Sequence, residues 1–177
     1  MTGWVVLREG PATDGAALLR GLVAEVASVD PDLVRIGRRC PRCGSVDHGV
    51  PRLLDPDLDL FLSLSRSDGR QLVAVADVPV GVDIESMAGT APSEGMQLAP
   101  GEHATPGPDG PWRTWTRKEA VLKATGRGVS LDPRTVRVDR PTVELDGRTW
   151  WLTDLDPAPG TVGALALATA EAQVEWR

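Results

Sequence analysis

The sequence of 177 residues predicts an α+β fold, and three observations support this. Short apolar runs with strand spacing outnumber helical segments, one amphipathic helix occurs in each half, and a Gly/Pro-rich stretch separates the halves. We therefore expect an α+β half at 1–86, a linker at 87–111 and a second α+β half at 112–177. No internal sequence repeat establishes that the two halves are alike.

In the N-terminal half, a short apolar run predicts a first strand, and Asp14 is the candidate N-cap of a helix. A long stretch rich in Gly, Pro, Arg and Asp predicts a loop, and the last two strands are expected to pair as a hairpin across 77–79. The predicted elements are strand Trp4–Arg8, helix 16–27, loop 37–58, and strands Leu58–Leu64, Gln71–Ala76 and Val80–Glu85.

The linker is expected to contain at most a short helix near Met96–Leu98. A longer helix is predicted from Pro111 to about Thr125, because proline favours a first turn and Gly126 and Gly128 stop the pattern. Apolar runs then predict the remaining strands, Thr135–Asp139, Thr142–Leu145, Thr149–Leu155 and Val162–Thr169.

The net charge of −6 argues against a generic nucleic-acid-binding protein. The first residues lack the pattern of a signal peptide, and no apolar run reaches membrane-spanning length. Two cysteines cannot build a secreted disulfide framework. We therefore expect a cytoplasmic protein.

The distribution of basic residues is uneven. The chain has 17 Arg but only two Lys, Lys118 and Lys123, both in the second predicted helix. Residues 71–111 carry six acidic and no basic groups, whereas residues 112–140 carry eight basic and three acidic groups. A metal-plus-polyanion site needs acidic and basic groups side by side, although a folded surface also produces such neighbours by chance.

The strand Val80–Glu85 alternates strictly, which places Gly81, Asp83 and Glu85 on one face. Two carboxylates at i and i+2 repel each other unless a cation lies between them, and hard oxygen donors suit Mg²⁺ or Mn²⁺. An isolated Asp-x-Glu is more often a solvated polar face, so other residues must support a metal site.

The second helix supplies that support. Trp115, Glu119 and Lys123 are spaced i, i+4 and i+8 along one stripe, and Lys118 lies on the neighbouring stripe. Glu119 would complete a three-carboxylate set, and both lysines would add positive charge for a phosphate. The alternative is a surface helix with a Glu119–Lys123 pair, which contributes only about 0.3–0.5 kcal/mol.

Two blocks, GVDIE at 81–85 and WTRKEAVLKATGRG at 115–128, resemble the motifs of the 4′-phosphopantetheinyl transferase superfamily. The segment LSLSRS at 62–67 extends the resemblance, as does the weaker CPRCG…HGVP pattern at 40–51. The resemblance implies two similar α/β halves in a pseudo-twofold arrangement, as in the larger, monomeric, surfactin-synthetase-type class. Coenzyme A would bind between the halves.

The resemblance also implies an activity. Such an enzyme transfers 4′-phosphopantetheine from coenzyme A to a serine of an acyl or peptidyl carrier protein and releases adenosine 3′,5′-bisphosphate. By carry-over, the Mg²⁺ (or Mn²⁺) ligands are Asp83, Glu85 and Glu119. Glu119 and Lys123 are the catalytic candidates, and the coenzyme A contacts are Ser65, Arg66, Asp83, Lys118 and Lys123.

Some positions depart from the family pattern. Arg66 replaces a usual His, and Val50 stands where many relatives have a basic residue; Arg35, Arg38 and Arg39 are candidates to compensate. Two alternatives therefore stay open: a degenerate relative that binds carrier protein or nucleotide without catalysis, and an unrelated Mg²⁺ phosphohydrolase.

Three further groups have open roles. Cys40, Cys43 and His48 could begin a zinc site, but the lack of a fourth ligand favours two ordinary thiols. Glu102 is expected either to assist the base or to face solvent. Arginines near the second helix are expected either to recognise an acidic carrier protein or to face solvent; they are Arg113, Arg117 and Arg127.

Overall fold

The computed structural model describes residues 3–40, 43–127 and 131–177. These residues form an α+β fold with two sheets. The helices are α1 (Gly15–Ala27), α2 (Glu94–Gln97) and α3 (Gly110–Ala124). The strands are β1 (Gly3–Pro11), β2 (Arg35–Arg39), β3 (Val50–Asp55), β4 (Phe61–Ser67), β5 (Arg70–Ala76), β6 (Val80–Ser86), β7 (Thr142–Leu145), β8 (Arg148–Leu155), β9 (Thr161–Leu167) and β10 (Ala172–Trp176).

The strands form one sheet of six and one of four. The six-stranded sheet has the order β10-β1-β5-β4-β3-β2, and the four-stranded sheet has the order β6-β9-β8-β7. Only the β1–β10 pair is parallel among the described strand pairs. Strand β6 is therefore an edge strand of the smaller sheet, which leaves one side of its backbone available to other partners.

The alternation of side chains along the strands produces a layered molecule. Odd-numbered residues of β1, such as Val5, and even-numbered residues of β5, such as Leu72, pack against β6 and β9 of the other sheet. The opposite face of the larger sheet packs against α1 through Leu22 and its neighbours. The outer face of the smaller sheet packs against α3 through Val121 and its neighbours. The order of layers is α1, large sheet, small sheet, α3.

Helix α3 lies unusually close to β6. A Cβ atom at Gly81 would lie 2.0 Å from the carbonyl oxygen of Ala120 and 2.5 Å from the backbone nitrogen of Ala124. Only glycine permits this approach. The helix is thus pressed onto the face of β6 that carries Asp83 and Glu85.

Local patterns predicted several elements correctly. Asp14 caps α1 by accepting hydrogen bonds from the amides of Ala16 and Ala17. The strand predicted at Val80–Glu85 and the helix predicted from Pro111 to about Thr125 are both confirmed. Each observed bound lies within one residue of the predicted one. Gly126 follows α3 in the left-handed conformation, with φ +75°. Gly128 lies outside the described residues.

Pairing between distant segments corrects other predictions. The predicted loop 37–58 contains β3 and the end of β2, and these two strands pair with each other. The predicted hairpin of β5 and β6 is wrong, because β5 pairs with β1 and β4 while β6 pairs with β9. Residues 133–139 form no strand, and β10 was not predicted. Strand pairing also crosses the predicted boundary between the two halves. Strand β6, from the predicted N-terminal half, belongs to the four-stranded sheet, and β10, from the predicted C-terminal half, belongs to the six-stranded sheet.

Within the described residues, none of the helices combines the length and the apolar character that crossing a bilayer requires.

Candidate functional site

A cleft of about 770 Å³ lies where β4, β6 and α3 meet. One wall comes from the end of β2 and the β2–β3 loop, and another from residues 131–133. Most of the residues singled out in the sequence line this cleft. Its lining includes Ser65, Arg66, Asp83, Glu85, Trp115, Glu119 and Lys123.

Serines of β4 hold the edge strand β6 in place. The hydroxyl of Ser63 accepts a hydrogen bond from the amide of Val82 at 3.0 Å, and that of Ser67 accepts one from the amide of Ser86 at 3.0 Å. Serines at every second position of a strand share one face. Two serines of the Ser-x-Ser-x-Ser pattern in β4 therefore bind amides on the open edge of β6, while Ser65 and Ser67 bind the side chains of Asp83 and Glu85.

Asp83 is the buried centre of the site. Its Oδ1 accepts a hydrogen bond from Ser65 Oγ at 2.6 Å and one from Lys123 Nζ at 2.6 Å. Lys123 Nζ also donates to Ser65 Oγ at 2.8 Å, which closes a three-membered network. The other carboxylate oxygen of Asp83, Oδ2, is buried and has no hydrogen-bond partner among the described residues.

Glu85 is held from two sides. Its Oε2 accepts from Ser67 Oγ at 2.7 Å, and its Oε1 accepts from the indole nitrogen of Trp115 at 3.2 Å. Burial raises the pKa of Glu85 above its usual range, and these hydrogen bonds oppose that rise. Although Trp115 shares one stripe of the helix with Glu119, its indole nitrogen binds Glu85.

Glu119 projects from α3 into the same cleft. Burial raises the pKa of Glu119, the negative charge of Asp83 raises it further, and Lys123 opposes the rise. The cleft thus concentrates three carboxylates around one lysine.

This donor set suits a hard divalent cation. A buried, unpartnered oxygen on Asp83 and two neighbouring carboxylates leave negative charge that a cation would neutralise. The carboxylates are not gathered as tightly as those of a preformed site: among the described residues, no three different Asp or Glu side chains bring one oxygen each within 4.8 Å of one another. In this arrangement Lys123 supplies the positive charge beside Asp83.

Lys118 does not lie in the cleft, which corrects its predicted role as a coenzyme A contact. Its side chain is 0% exposed, and its Nζ pairs with Glu102 at 2.6 Å. The ammonium also donates to the carbonyl oxygens of Pro133 and Val136. Burial lowers the pKa of Lys118, and the ion pair with Glu102 opposes this effect. Because the ammonium donates to three groups inside the protein, Lys118 has no donor left for a hydrogen bond to a phosphate.

Glu102 likewise neither faces solvent nor enters the cleft. Its carboxylate accepts hydrogen bonds from the amides of Ala99 and Val138 as well as from Lys118. The pair therefore joins the segment before α3 to the segment after it. Both roles predicted for Glu102 are replaced by this structural one.

The arginines divide between the cleft and the scaffold. Arg66 and Arg38 line the cleft, whereas Arg39 and Val50 line a second groove of about 760 Å³ behind Lys123. Arg35 is exposed and lies 3.5 Å from Asp55. The arginines near α3 are all paired with acidic groups: Arg113 with Asp109 and Asp156, Arg117 with Asp154, and Arg127 with Asp146.

Several cleft residues were not found by sequence reasoning. Asp47, Leu131, Asp132 and Pro133 line the cleft from loops, whose spatial position the sequence does not encode locally. The serine alternation in β4 was a readable signal, since a polar residue at every second position of a strand marks one face.

Comparisons with known proteins agree with the motifs. Residues 79–156 match the model of the 4′-phosphopantetheinyl transferase superfamily. This match contains Asp83, Glu85, Glu119 and Lys123, and it confirms the resemblance for that part of the chain. A search of curated proteins found no matching relative.

Proposed function

We propose that this chain, whose residues 79–156 match the 4′-phosphopantetheinyl transferase superfamily, transfers 4′-phosphopantetheine from coenzyme A to a serine of an acyl or peptidyl carrier protein. The proposal rests chiefly on one observation: Asp83, Glu85, Glu119 and Lys123 converge in a single cleft. The two motif blocks, one on β6 and one on α3, thus contribute side chains to the same cleft.

The carboxylates are the proposed holders of the metal. Asp83, Glu85 and Glu119 would bind Mg²⁺ or Mn²⁺, with the buried Oδ2 of Asp83 as one ligand atom. Bound there, the cation would neutralise negative charge on the pyrophosphate of coenzyme A.

The remaining chemistry belongs to the side chains of the cleft. The serine oxygen of the carrier protein forms a bond to the β-phosphorus, and the bond from that phosphorus to the bridging oxygen breaks. Adenosine 3′,5′-bisphosphate leaves with the bridging oxygen. Glu119 accepts the serine proton, directly or through a water molecule.

The basic groups of the cleft hold the phosphates. Lys123 Nζ lies 2.6 Å from Asp83 and is still partly exposed, so a phosphate oxygen can replace one of its present partners. Arg66, exposed on β4, offers a planar guanidinium at the same cleft. Arg38, at the end of β2, lines the same cleft.

The decisive experiment incubates the protein with coenzyme A, Mg²⁺ and an apo carrier protein and measures the intact mass of the carrier. A gain equal to one phosphopantetheine group is expected. Glu119→Gln and Asp83→Ala should abolish the gain while circular dichroism shows a folded protein. Glu94→Gln, at an exposed position of α2 outside the described cleft lining, is the matched control and should keep full activity.

The alternatives give different outcomes in the same assay. Coenzyme A or carrier binding without any mass gain, over a panel of carriers, would indicate a degenerate relative. Metal-dependent release of phosphate from simple phosphate esters would indicate a phosphohydrolase. Full transfer by Asp83→Ala or Glu119→Gln would overturn the metal assignment.

A further inference from the structure

A second set of metal-ligating side chains lies in the loop between β2 and β3. Cys40, Cys43 and His48 present their ligand atoms within 4.8 Å of one another. Among the described residues, this is the one group of three or more His, Cys, Asp or Glu side chains that meets this distance. The transfer reaction proposed above uses none of the three.

The distance between two of these ligand atoms fits a shared metal. Cys43 Sγ lies 3.4 Å from His48 Nε2. Two neighbouring ligands of a tetrahedral zinc, at about 2.3 Å for sulfur and about 2.0 Å for nitrogen, are separated by about 3.5 Å. A hydrogen bond between a thiol and an imidazole would also have this length. The nearby thiol of Cys40 is therefore the feature that distinguishes a metal site from a hydrogen-bonded pair.

The backbone of the loop brings the three side chains together. The amide of Gly44 donates to the carbonyl of Cys40 at 2.9 Å, and the amide of Cys40 donates to the carbonyl of Ser45 at 2.8 Å. Gly44 adopts the left-handed conformation, with φ +73°, that ends this tight turn. The turn thus holds the cysteines close together at the end of β2.

The base of the loop holds His48 against the same turn. Arg39 and Val50 pair across β2 and β3. Gly49, the residue before Val50, has φ +107°, and a Cβ atom there would lie 2.5 Å from the backbone of Arg39. The side chain of Ser45 accepts a hydrogen bond from the amide of Asp47 at 3.1 Å, which fixes the residue before His48.

We propose that Cys40, Cys43 and His48 bind one Zn²⁺ ion, with a water molecule or another external ligand in the fourth position. Thiolate and imidazole donors select zinc over magnesium, which prefers oxygen. Binding converts both thiols to thiolates, so two protons are released for each ion bound if both are protonated beforehand. The lack of a fourth protein ligand, which favoured ordinary thiols from the sequence, fits a site with one open position.

The location gives the ion a positioning role. Asp47 and His48 line the same cleft as Asp83. A metal bound by Cys40, Cys43 and His48 would therefore fix one wall of the cleft through ligands other than the three carboxylates. This role rests on the proposed function, but metal binding itself does not.

The test titrates reduced, tag-free protein with Co²⁺ and follows its absorbance. Saturation at one ion per chain is expected, with the intense visible bands of tetrahedral cobalt and a thiolate charge-transfer band in the near ultraviolet. Zn²⁺ should bleach these bands, and bound Zn²⁺ should protect both cysteines from a thiol reagent. Cys43→Ser and His48→Asn should each weaken Zn²⁺ binding at least tenfold.

The matched control is His103→Asn, at the exposed histidine of the linker, which should bind the metal like the parent protein. Circular dichroism of each variant verifies that the fold is retained. Reduced parent protein that shows no tetrahedral cobalt spectrum, or a spectrum unchanged by Cys43→Ser and His48→Asn, would overturn the proposal. Neither result depends on transfer activity, so failure of this site and failure of the proposed function are distinguishable.

Discussion

Two sides of helix α3 carry lysines of the same charge in opposite environments. Lys123 is 26% exposed at the cleft and contacts Asp83, whereas Lys118 is 0% exposed and sealed against Glu102. The sequence grouped the two because only these positions use lysine. The structure separates them into a residue that can exchange partners and one that cannot. One helix is therefore anchored from one side and presents its chemistry on the other.

The largest expected effect comes from breaking the anchored side. Lys118→Met leaves the buried carboxylate of Glu102 without its counter-charge, and we expect a loss of about 3–5 kcal/mol in the free energy of unfolding. Urea denaturation measures this loss. Lys123→Met should cost less than half as much, because its environment is partly hydrated.

A double variant shows whether the loss arises from the pair. Lys118→Met combined with Glu102→Gln removes both charges, so the double variant should be more stable than Lys118→Met alone. Equal stability of the two would mean that the ion pair does not anchor α3.

The next effect concerns the cleft side. Lys123→Met should lower kcat/KM for coenzyme A about 100-fold, equivalent to about 2.7 kcal/mol, because a phosphate contact is lost. Steady-state kinetics with a carrier protein measure this change. A variant with unchanged kcat/KM would show that Lys123 only balances the charge of Asp83.

A smaller effect tests the chemistry of the lysine itself. Lys123→Arg keeps the charge but replaces a compact ammonium by a larger planar group, and we expect about a tenfold loss of kcat/KM, or about 1.4 kcal/mol. Near-parent activity in the same assay would make the choice of lysine at this position a coincidence.

The smallest expected effect concerns a partly exposed ion pair, that of Arg8 and Glu25. Arg8 donates a hydrogen bond to Glu25 and lowers the pKa of that carboxyl. The pair should therefore stabilise the fold above the unfolded pKa of Glu25, and this contribution should disappear as the pH falls through the lowered folded value. Glu25→Gln should cost less than about 1 kcal/mol at pH 7, and the difference from the parent should shrink towards pH 3 in thermal melts. A difference independent of pH would exclude charge as its origin.

The same contrast explains what the sequence could and could not predict. Strict alternation placed Asp83 and Glu85 on one face of β6, and the i, i+4 spacing placed Glu119 and Lys123 on one stripe of α3, because both depend on local geometry. The burial of Lys118 depends on Glu102, 16 residues away, and on the carbonyls of Pro133 and Val136. Such distant contacts leave no periodic signal.

The prediction of strand pairing failed because pairing also depends on contacts between distant segments. Adjacent strands β5 and β6 were expected to pair because their connection is short, but each belongs to a different sheet. The true hairpin joins β4 and β5 through Asp68 and Gly69, both with positive φ, and this Asp-Gly turn was readable in the sequence. The strands β2 and β3 were hidden by their half-exposed, charged and proline-containing sequences.

The parallel pairing of β1 with β10 has a consequence for biosynthesis. During translation β1 emerges early, yet its outer neighbour is the most distant strand along the chain, so that edge stays open until residues 172–176 have been made. The described residues that line the cleft all precede residue 134. A nascent chain could therefore contain all of these residues and still expose a sheet edge to aggregation or to proteases.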